Sequence, residues 1–196
     1  NVNSDAVIES IDASTIYDVP LLLAKQKLDL VVLERLRFKN PKRLNLRKWN
    51  DFLSKLKKPT KSVQIAIVGK YVELKDAYKS LDEALTHGGI ANNLKVNLVR
   101  IESDYLKPKD VKNKLKEVSG ILIPGGFGKR GTEGKIAAIT YARKNNIPFL
   151  GICFGMQMAV IEFARNRLNI KNATSSEFGP SKGSVVGLMS EWIKDG

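Results

Sequence analysis

Residues 147–155 read IPFLGICFG, in which a short apolar run leads into a cysteine flanked at two residues' distance by glycines. The run at 147–150 predicts a strand, and the run at 156–167 predicts a helix, so the chain must turn sharply at Cys153. Glycines two residues before and two after permit such a turn. The turn places Cys153 at the amino end of the helix, where the helix dipole favours the thiolate, the reactive form of cysteine.

Strand-like and helix-like runs alternate from residue 63 onward. The strand-like runs are 63–68, 95–101, 121–123 and 147–150, and the helix-like runs are 76–90, 108–118, 134–144 and 156–167. Because each strand is nearly all apolar or alternating, the pattern predicts an α/β fold with a mostly parallel sheet flanked by helices. Ligands bind beyond the carboxyl ends of such strands. Cys153 and the loop at 125–128 are therefore predicted to lie at the same edge of the sheet.

Composition limits the class of protein. The 196 residues are 43% hydrophobic, which is enough for a packed core. Cys153 is the only cysteine, so an internal disulfide is excluded and a reducing, cytoplasmic setting is expected. No apolar run is long enough to span a bilayer, so we expect no membrane association.

The net charge of +13 is concentrated in one stretch. Residues 35–61 contain eleven Lys or Arg and a single acid, Asp51. No aromatic stacking motif or zinc pattern accompanies this charge, so residues 41–62 are interpreted as a basic linker with a short helix at 46–56, and nucleic acid is not an expected partner. A basic binding module is the alternative, and it predicts salt-dependent nucleic-acid binding.

Residues 1–40 do not continue the alternating pattern. They contain a helix-like run at 16–36, with a proline suited to a first helical turn. About forty residues rarely bury enough surface to fold alone. We therefore interpret this segment as the end of a preceding domain, and the first residue, Asn1, leads us to expect a piece of a longer protein.

A cysteine nucleophile that attacks a carbonyl needs an oxyanion hole and a base. The amide of Phe154 faces the site by virtue of the turn, and Gly125-Gly126 can supply a second amide. The only histidine, His87, ends a predicted helix before Gly88-Gly89, where a histidine more often contacts terminal carbonyls than serves catalysis. These residues alone leave open another cysteine hydrolase or a redox-sensing protein.

Several motifs, in order, resemble the glutaminase domain of the CTP synthases. They are GKY at 69–71, DAYKS at 76–80, PGGFG at 124–128, RG at 130–131, EGK at 133–135, GICFGMQ at 151–157 and NATSSEF at 172–178. Upstream, IY at 16–17 and PLLL at 20–23 resemble the end of the family's synthetase domain. The resemblance implies three parts. Residues 1–40 would be the tail of a P-loop-type synthetase domain and residues 41–62 the linker. Residues 63–196 would be an incomplete class I glutamine amidotransferase domain with a flavodoxin-like fold.

The resemblance also implies an activity: a ligase that makes CTP from UTP with ATP, magnesium and ammonia from glutamine. Cys153 would form a glutamyl thioester, without a cofactor or metal for that step. Glutamine would be bound by Gly126, Phe154, Gly155, Met156, Gln157 and Glu177. The adenine of ATP would contact the backbone of Ile11, Asp12 and Ala13.

Further partners follow from the same resemblance. They are GTP as activator, CTP as feedback inhibitor and a homotetrameric assembly. Phe154 stands where leucine is usual, with little effect expected because the amide performs the role. The family's His-Pro-Glu motif, which supplies the base, does not occur before Gly196. We therefore expect an interior fragment that is inactive as a glutaminase by itself.

Overall fold

Residues 1–60 form the first of two units in the computed structural model, which describes residues 2–72 and 74–188, and three short helices lie in the described part of this unit. They are α1 (Val19–Lys25), α2 (Leu28–Arg35) and α3 (Arg47–Lys57). The indole Nε1 of Trp49 donates a hydrogen bond to the Tyr17 carbonyl oxygen at 2.9 Å, and the rings of Tyr17 and Phe52 lie 5.2 Å apart. Leu53 is the one fully buried hydrophobic residue among those described in this unit, as expected of so short a segment.

The helix predicted within the basic segment is confirmed as α3, whose apolar face packs on Tyr17. The helix-like run at 16–36 is not one helix. It is divided between α1 and α2 by Lys27, which has a φ of 61°. This left-handed conformation cannot continue an α-helix of L-residues. The predicted boundaries after residues 40 and 62 stay predictions.

In the part of the second unit, residues 61–196, that the structure describes, the main sheet has four parallel strands. Its strands are β1 (Lys61–Gly69), β2 (Leu94–Glu102), β3 (Gly120–Ile123) and β4 (Phe149–Gly151), in the spatial order β2-β1-β3-β4. Every neighbouring pair is parallel. Ala66, Ile67 and Val68 are completely buried, which explains the nearly continuous apolar sequence of β1. The predicted mostly parallel sheet is confirmed.

Within the described residues, four helices cover this sheet: α4 (Lys79–Ala91), α5 (Pro108–Leu115), α6 (Thr132–Lys144) and α7 (Phe154–Asn166). Helix α4 packs on β2, while α5, α6 and α7 pack side by side, and α6 and α7 contact β3 and β4. The main core joins the sheet to the last three helices and includes Val68, Ile121, Ile139 and Met158. The carboxyl ends of the strands thus meet the amino ends of α6 and α7.

Some element boundaries differ from those predicted. The helix expected at 76–90 begins with a 3₁₀ turn, Lys75–Tyr78, and α5 ends three residues early at Leu115. A second sheet of two very short parallel strands, β5 (Thr174–Ser175) and β6 (Ser184–Val186), was not predicted, because two or three residues carry no measurable alternation. Among the described residues, no helix combines the length and apolar character needed to cross a membrane.

Candidate active site

Cys153 occupies a strained turn between β4 and α7. Its φ and ψ are 53° and −105°, and its side chain is exposed. Ile152 donates its N–H to the Ile123 carbonyl at 2.9 Å, and Gly155 donates to the Ile152 carbonyl at 2.9 Å, so both sides of the turn are fixed. Non-glycine residues with positive φ are uncommon and cluster at functional sites. The sharp turn predicted at Cys153 is therefore confirmed.

The two flanking glycines are required by space. A Cβ at Gly151 would lie 2.6 Å from the carbonyl carbon of Gly155. A Cβ at Gly155 would collide with the Ile123 carbonyl oxygen and lie 2.9 Å from its carbonyl carbon. Helix α7 therefore starts directly against the end of β3, at a distance that only glycine allows. This close approach is what raises Cys153 above the edge of the sheet.

The loop that follows β3 lies beside Cys153. A Cβ placed on Gly125 would be 3.7 Å from the Cβ of Cys153. A Cβ placed on Gly126 would meet nothing within 4 Å, so the backbone there borders open space. The two segments predicted to share one edge are adjacent, and a small ligand has room next to the cysteine.

Side chains from two distant segments hold this loop. Lys70 Nζ donates to the Phe127 carbonyl at 2.6 Å, and the Gly128 N–H donates to Glu177 Oε1 at 2.5 Å. Glu177 is itself placed by Ser175, whose Oγ accepts from the Glu177 N–H at 3.2 Å. The structure thus brings the carboxylate of Glu177 to the glycine loop. The hydrogen bond from Gly128 involves one of the two carboxylate oxygens, Oε1.

Phe154, the residue after the cysteine, is completely buried between two partners. Its ring packs edge-on against Phe178 at 6.1 Å, and the Nζ of Lys135 lies 4.9 Å from the ring centroid. Lys135 is only 1% exposed. Burial lowers its pKa to about 8, with a smaller contribution from the positive charge of Lys70.

Lys135 was missed by the sequence reasoning. A lysine is normally taken as a solvent-exposed position. Its spacing gave a signal, however, because Lys135, Ile139 and Ala142 recur at helical intervals and all are buried on α6.

The remaining predicted residues are distributed more widely. Gln157 is half-buried one turn beyond Cys153, and its N–H donates to the Cys153 carbonyl at 3.1 Å. Met156 is 57% exposed and lines an apolar groove along α7 with Val160 and Phe163. Whether either residue contacts glutamine stays a prediction. Ile11, Asp12 and Ala13 belong to the first unit, in a segment without regular secondary structure where Ile11 is 55% exposed.

His87 lies towards the opposite edge of the sheet. A Cβ on nearby Gly89 would be 2.7 Å from the Leu94 carbonyl oxygen, at the start of β2. The starts of parallel strands lie at the edge away from Cys153. This placement supports the expectation that His87 does not serve as the base. Over residues 2–72 and 74–188, no three His, Cys, Asp or Glu side chains are grouped to hold a metal ion.

The chain belongs to the class-I glutamine amidotransferases, because the family model "Glutamine amidotransferase class-I" matches residues 73–187. Within that family it is similar to CTP synthases. The CTP synthase of Pelagibacter ubique is 62% identical over 196 residues, which are 100% of this chain and 36% of that protein. That of Brucella anthropi is 53% identical over 194 residues, covering 99% of this chain and 36% of that protein.

The resemblance inferred from the motifs is therefore confirmed, and the chain spans about a third of the length of these curated relatives. A solved structure is similar as well: the glutaminase domain of Trypanosoma brucei CTPS with bound acivicin. It has 40% sequence identity and a TM-score of 0.62, over 65% of this chain and 50% of that chain.

Proposed function

We propose that this chain is the glutaminase part of a CTP synthase, in which Cys153 releases ammonia from glutamine for the ATP-dependent amination of UTP to CTP. The observation that carries the proposal is the turn at Cys153. The exposed thiol of Cys153, whose φ is 53°, lies at the N-cap of α7, beside a glycine loop that borders open space. The similarity to CTP synthases over the whole chain supports glutamine as the proposed substrate.

The proposed chemistry begins when the Cys153 thiolate attacks the side-chain amide carbon of glutamine. The amide N–H groups of Phe154 and Gly126 would stabilise the negative oxygen that forms. When the carbon–nitrogen bond breaks, the nitrogen takes a proton and leaves as ammonia, and the glutamyl group stays on sulfur as a thioester. Water then hydrolyses the thioester to glutamate and restores the thiol.

A base must move the proton in both steps. His87 is the only histidine among the 196 residues, and its position towards the far edge of the sheet argues against this role. The family's His-Pro-Glu motif, which does not occur in this sequence, would supply the imidazole and a carboxylate that orients it.

Substrate recognition would depend on the segments that surround Cys153. Glu177 offers a carboxylate for the ammonium group of glutamine, and the hydrogen bond that it accepts from the Gly128 N–H holds it against the glycine loop. Gln157 lies one helical turn beyond the nucleophile and can face the same space. Gly155 and Met156 would contribute through the main chain at the start of α7.

The partners of the amination step belong to the proposal for the whole protein. They are UTP, ATP with magnesium, GTP as activator, CTP as feedback inhibitor and a homotetrameric assembly. The described residues contain no metal-ligand cluster, so we derive no step through magnesium. For ATP, the chain offers the backbone of Ile11, Asp12 and Ala13, which lies outside any helix or strand.

The test is Cys153→Ala in the protein expressed from its full reading frame. We expect glutamine-dependent CTP formation to fall at least about 10³-fold, because the nucleophile is absent. Ammonia-dependent CTP formation should continue at the unmodified rate, and it controls for correct folding. Glutamine-dependent activity at the unmodified rate would refute the role of Cys153. Loss of both activities in a folded variant would also contradict the proposal, because it would show that Cys153 does more than release ammonia.

A further inference from the structure

Lys135 is a buried cation beside Phe154, the residue that follows the proposed nucleophile. It lies near the start of α6 with 1% of its surface exposed, and its Nζ is 4.9 Å from the centroid of the Phe154 ring. Burying an ammonium group is costly unless other groups compensate. A cation over an aromatic face gains most when it is desolvated, as here.

Four charged groups act electrostatically on the ammonium group of Lys135. Lys70 follows β1 and Arg130 precedes α6, and both carry the same charge as Lys135. Glu102 ends β2 and Asp104 follows it, and both carry the opposite charge. Arg130 is paired with Asp104 at 2.9 Å. With Lys135 itself counted, the group contains three cations and two acids, so the two carboxylates do not fully compensate the positive charge.

The ring of Phe154 connects Lys135 to both sides of the proposed site. The backbone of Phe154 follows Cys153 directly and carries the amide proposed for the oxyanion hole. Its ring also contacts Phe178, the neighbour of Glu177, at 6.1 Å between centroids. A restraint on this one ring therefore restrains both the oxyanion donor and the segment that carries Glu177.

We propose that Lys135 is a positioning residue for the glutaminase reaction: its ammonium group holds the Phe154 ring and thereby fixes the Phe154 amide beside Cys153. The inference rests on the proposed function, because it assigns the amide a role in that reaction. Lys135 itself does not touch glutamine or the reacting atoms.

A pH dependence follows from the burial of Lys135. Burial, reinforced by Lys70, lowers the Lys135 pKa to about 8, although Glu102 and Asp104 act in the opposite direction. Above that pH the neutral amine has no cation–π attraction for the Phe154 ring. The positioning effect should therefore be present at neutral pH and disappear as the pH rises through about 8.

The kinetic test compares Lys135→Met with the unmodified protein, both expressed from the full reading frame. Methionine keeps an unbranched chain of similar length and removes the charge. We expect kcat for glutamine to be about tenfold lower in the variant at pH 7, with KM changed by less than about twofold. A tenfold change in rate corresponds to about 1.4 kcal/mol, which is within the range of energies for a desolvated cation–π contact. The ratio of the two kcat values should approach one above pH 9, and shared ionisations cancel in that ratio.

Phe154→Leu supplies the matched control, because leucine removes the ring and keeps the amide. In that background, Lys135→Met should change kcat by less than about twofold at every pH. A ratio that does not change between pH 6.5 and 9.5, or that is equally large in the Phe154→Leu background, would overturn the inference.

An NMR titration of the 196-residue chain tests the contact without any variant of Lys135. The aromatic carbon signals of Phe154, assigned by their loss in Phe154→Leu, should shift with a midpoint of about 8. No inflection near that pH would refute the inference even where Lys135→Met does not fold. The titration measures the contact between Lys135 and Phe154 and does not measure catalysis. A negative titration would therefore refute only this inference, whereas unchanged glutamine-dependent activity in Cys153→Ala would refute the proposed function.

Discussion

Gly155→Ala tests the physical basis of the turn at Cys153. The added methyl group would collide with the carbonyl oxygen of Ile123 and lie 2.9 Å and 3.0 Å from its carbonyl carbon and Cγ2. Ile123 is completely buried in β3, so its backbone cannot move aside without disturbing the sheet. Overpacking of this kind costs about 3 kcal/mol, and the higher helix propensity of alanine returns about 1 kcal/mol. We predict a net loss of about 2 kcal/mol in the free energy of unfolding.

The assay is urea unfolding followed by far-UV circular dichroism, with Gly88→Ala as the matched control. Gly88 is also helical, but a Cβ there meets nothing within 4 Å, so this variant should gain about 1 kcal/mol of stability. The two variants should therefore differ by about 3 kcal/mol. Equal free energies of unfolding for the two alanine variants would refute the claim that space at the end of β3 requires glycine.

Three further predictions concern the site and its support. Gly126→Ala should change the free energy of unfolding by less than about 0.5 kcal/mol but lower glutamine turnover at least about tenfold, because the added methyl group enters the open space beside Cys153. Unchanged turnover would show that Gly126 is not part of the site. Arg143→Met leaves the carboxylate of Glu162 buried without its bidentate partner and should cost about 3 kcal/mol in urea unfolding at pH 7. Burial would raise the pKa of Glu162, but hydrogen bonds led by that from Arg143 outweigh it and lower the pKa, so the unmodified protein should lose this stabilisation as the pH falls below 4.5. For Lys135, burial lowers the pKa from 10.5 to about 8, so the unfolded chain binds the proton more tightly than the folded protein does. Between pH 8 and 10.5 the free energy of unfolding should therefore rise by about 3 kcal/mol relative to that of Lys135→Met. Parallel plots of unfolding free energy against pH for the two proteins would contradict this.

The sheet and the turn at Cys153 were predictable because their signals are local. In the main sheet, β1, β3 and β4 are largely apolar runs and β2 alternates polar and apolar residues, and each of these strands is followed by a helical pattern. The glycines at positions 151 and 155 indicated that the chain turns sharply from a strand into a helix at Cys153. The same local reasoning did not detect that Lys27 divides the first helical run, since no glycine or proline marks that position.

Other features depend on contacts between distant segments. The burial of Lys135 beside Phe154 joins residues 19 positions apart, and the hydrogen bond from Gly128 to Glu177 spans 49 positions. Pattern reasoning assigns both charged residues to the surface, because it has no information about tertiary partners. Without the family resemblance, Glu177 would have been interpreted as an ordinary surface carboxylate.

The central claim is that Cys153 attacks glutamine. Its most direct test is mass spectrometry of the protein from the full reading frame, quenched in acid during glutamine turnover. We predict a glutamyl adduct on the peptide that contains Cys153, and no adduct in Cys153→Ala. Glutamine turnover with the adduct on a residue other than Cys153 would contradict the account. So would a Cys153→Ala variant that carries no adduct and still turns over glutamine.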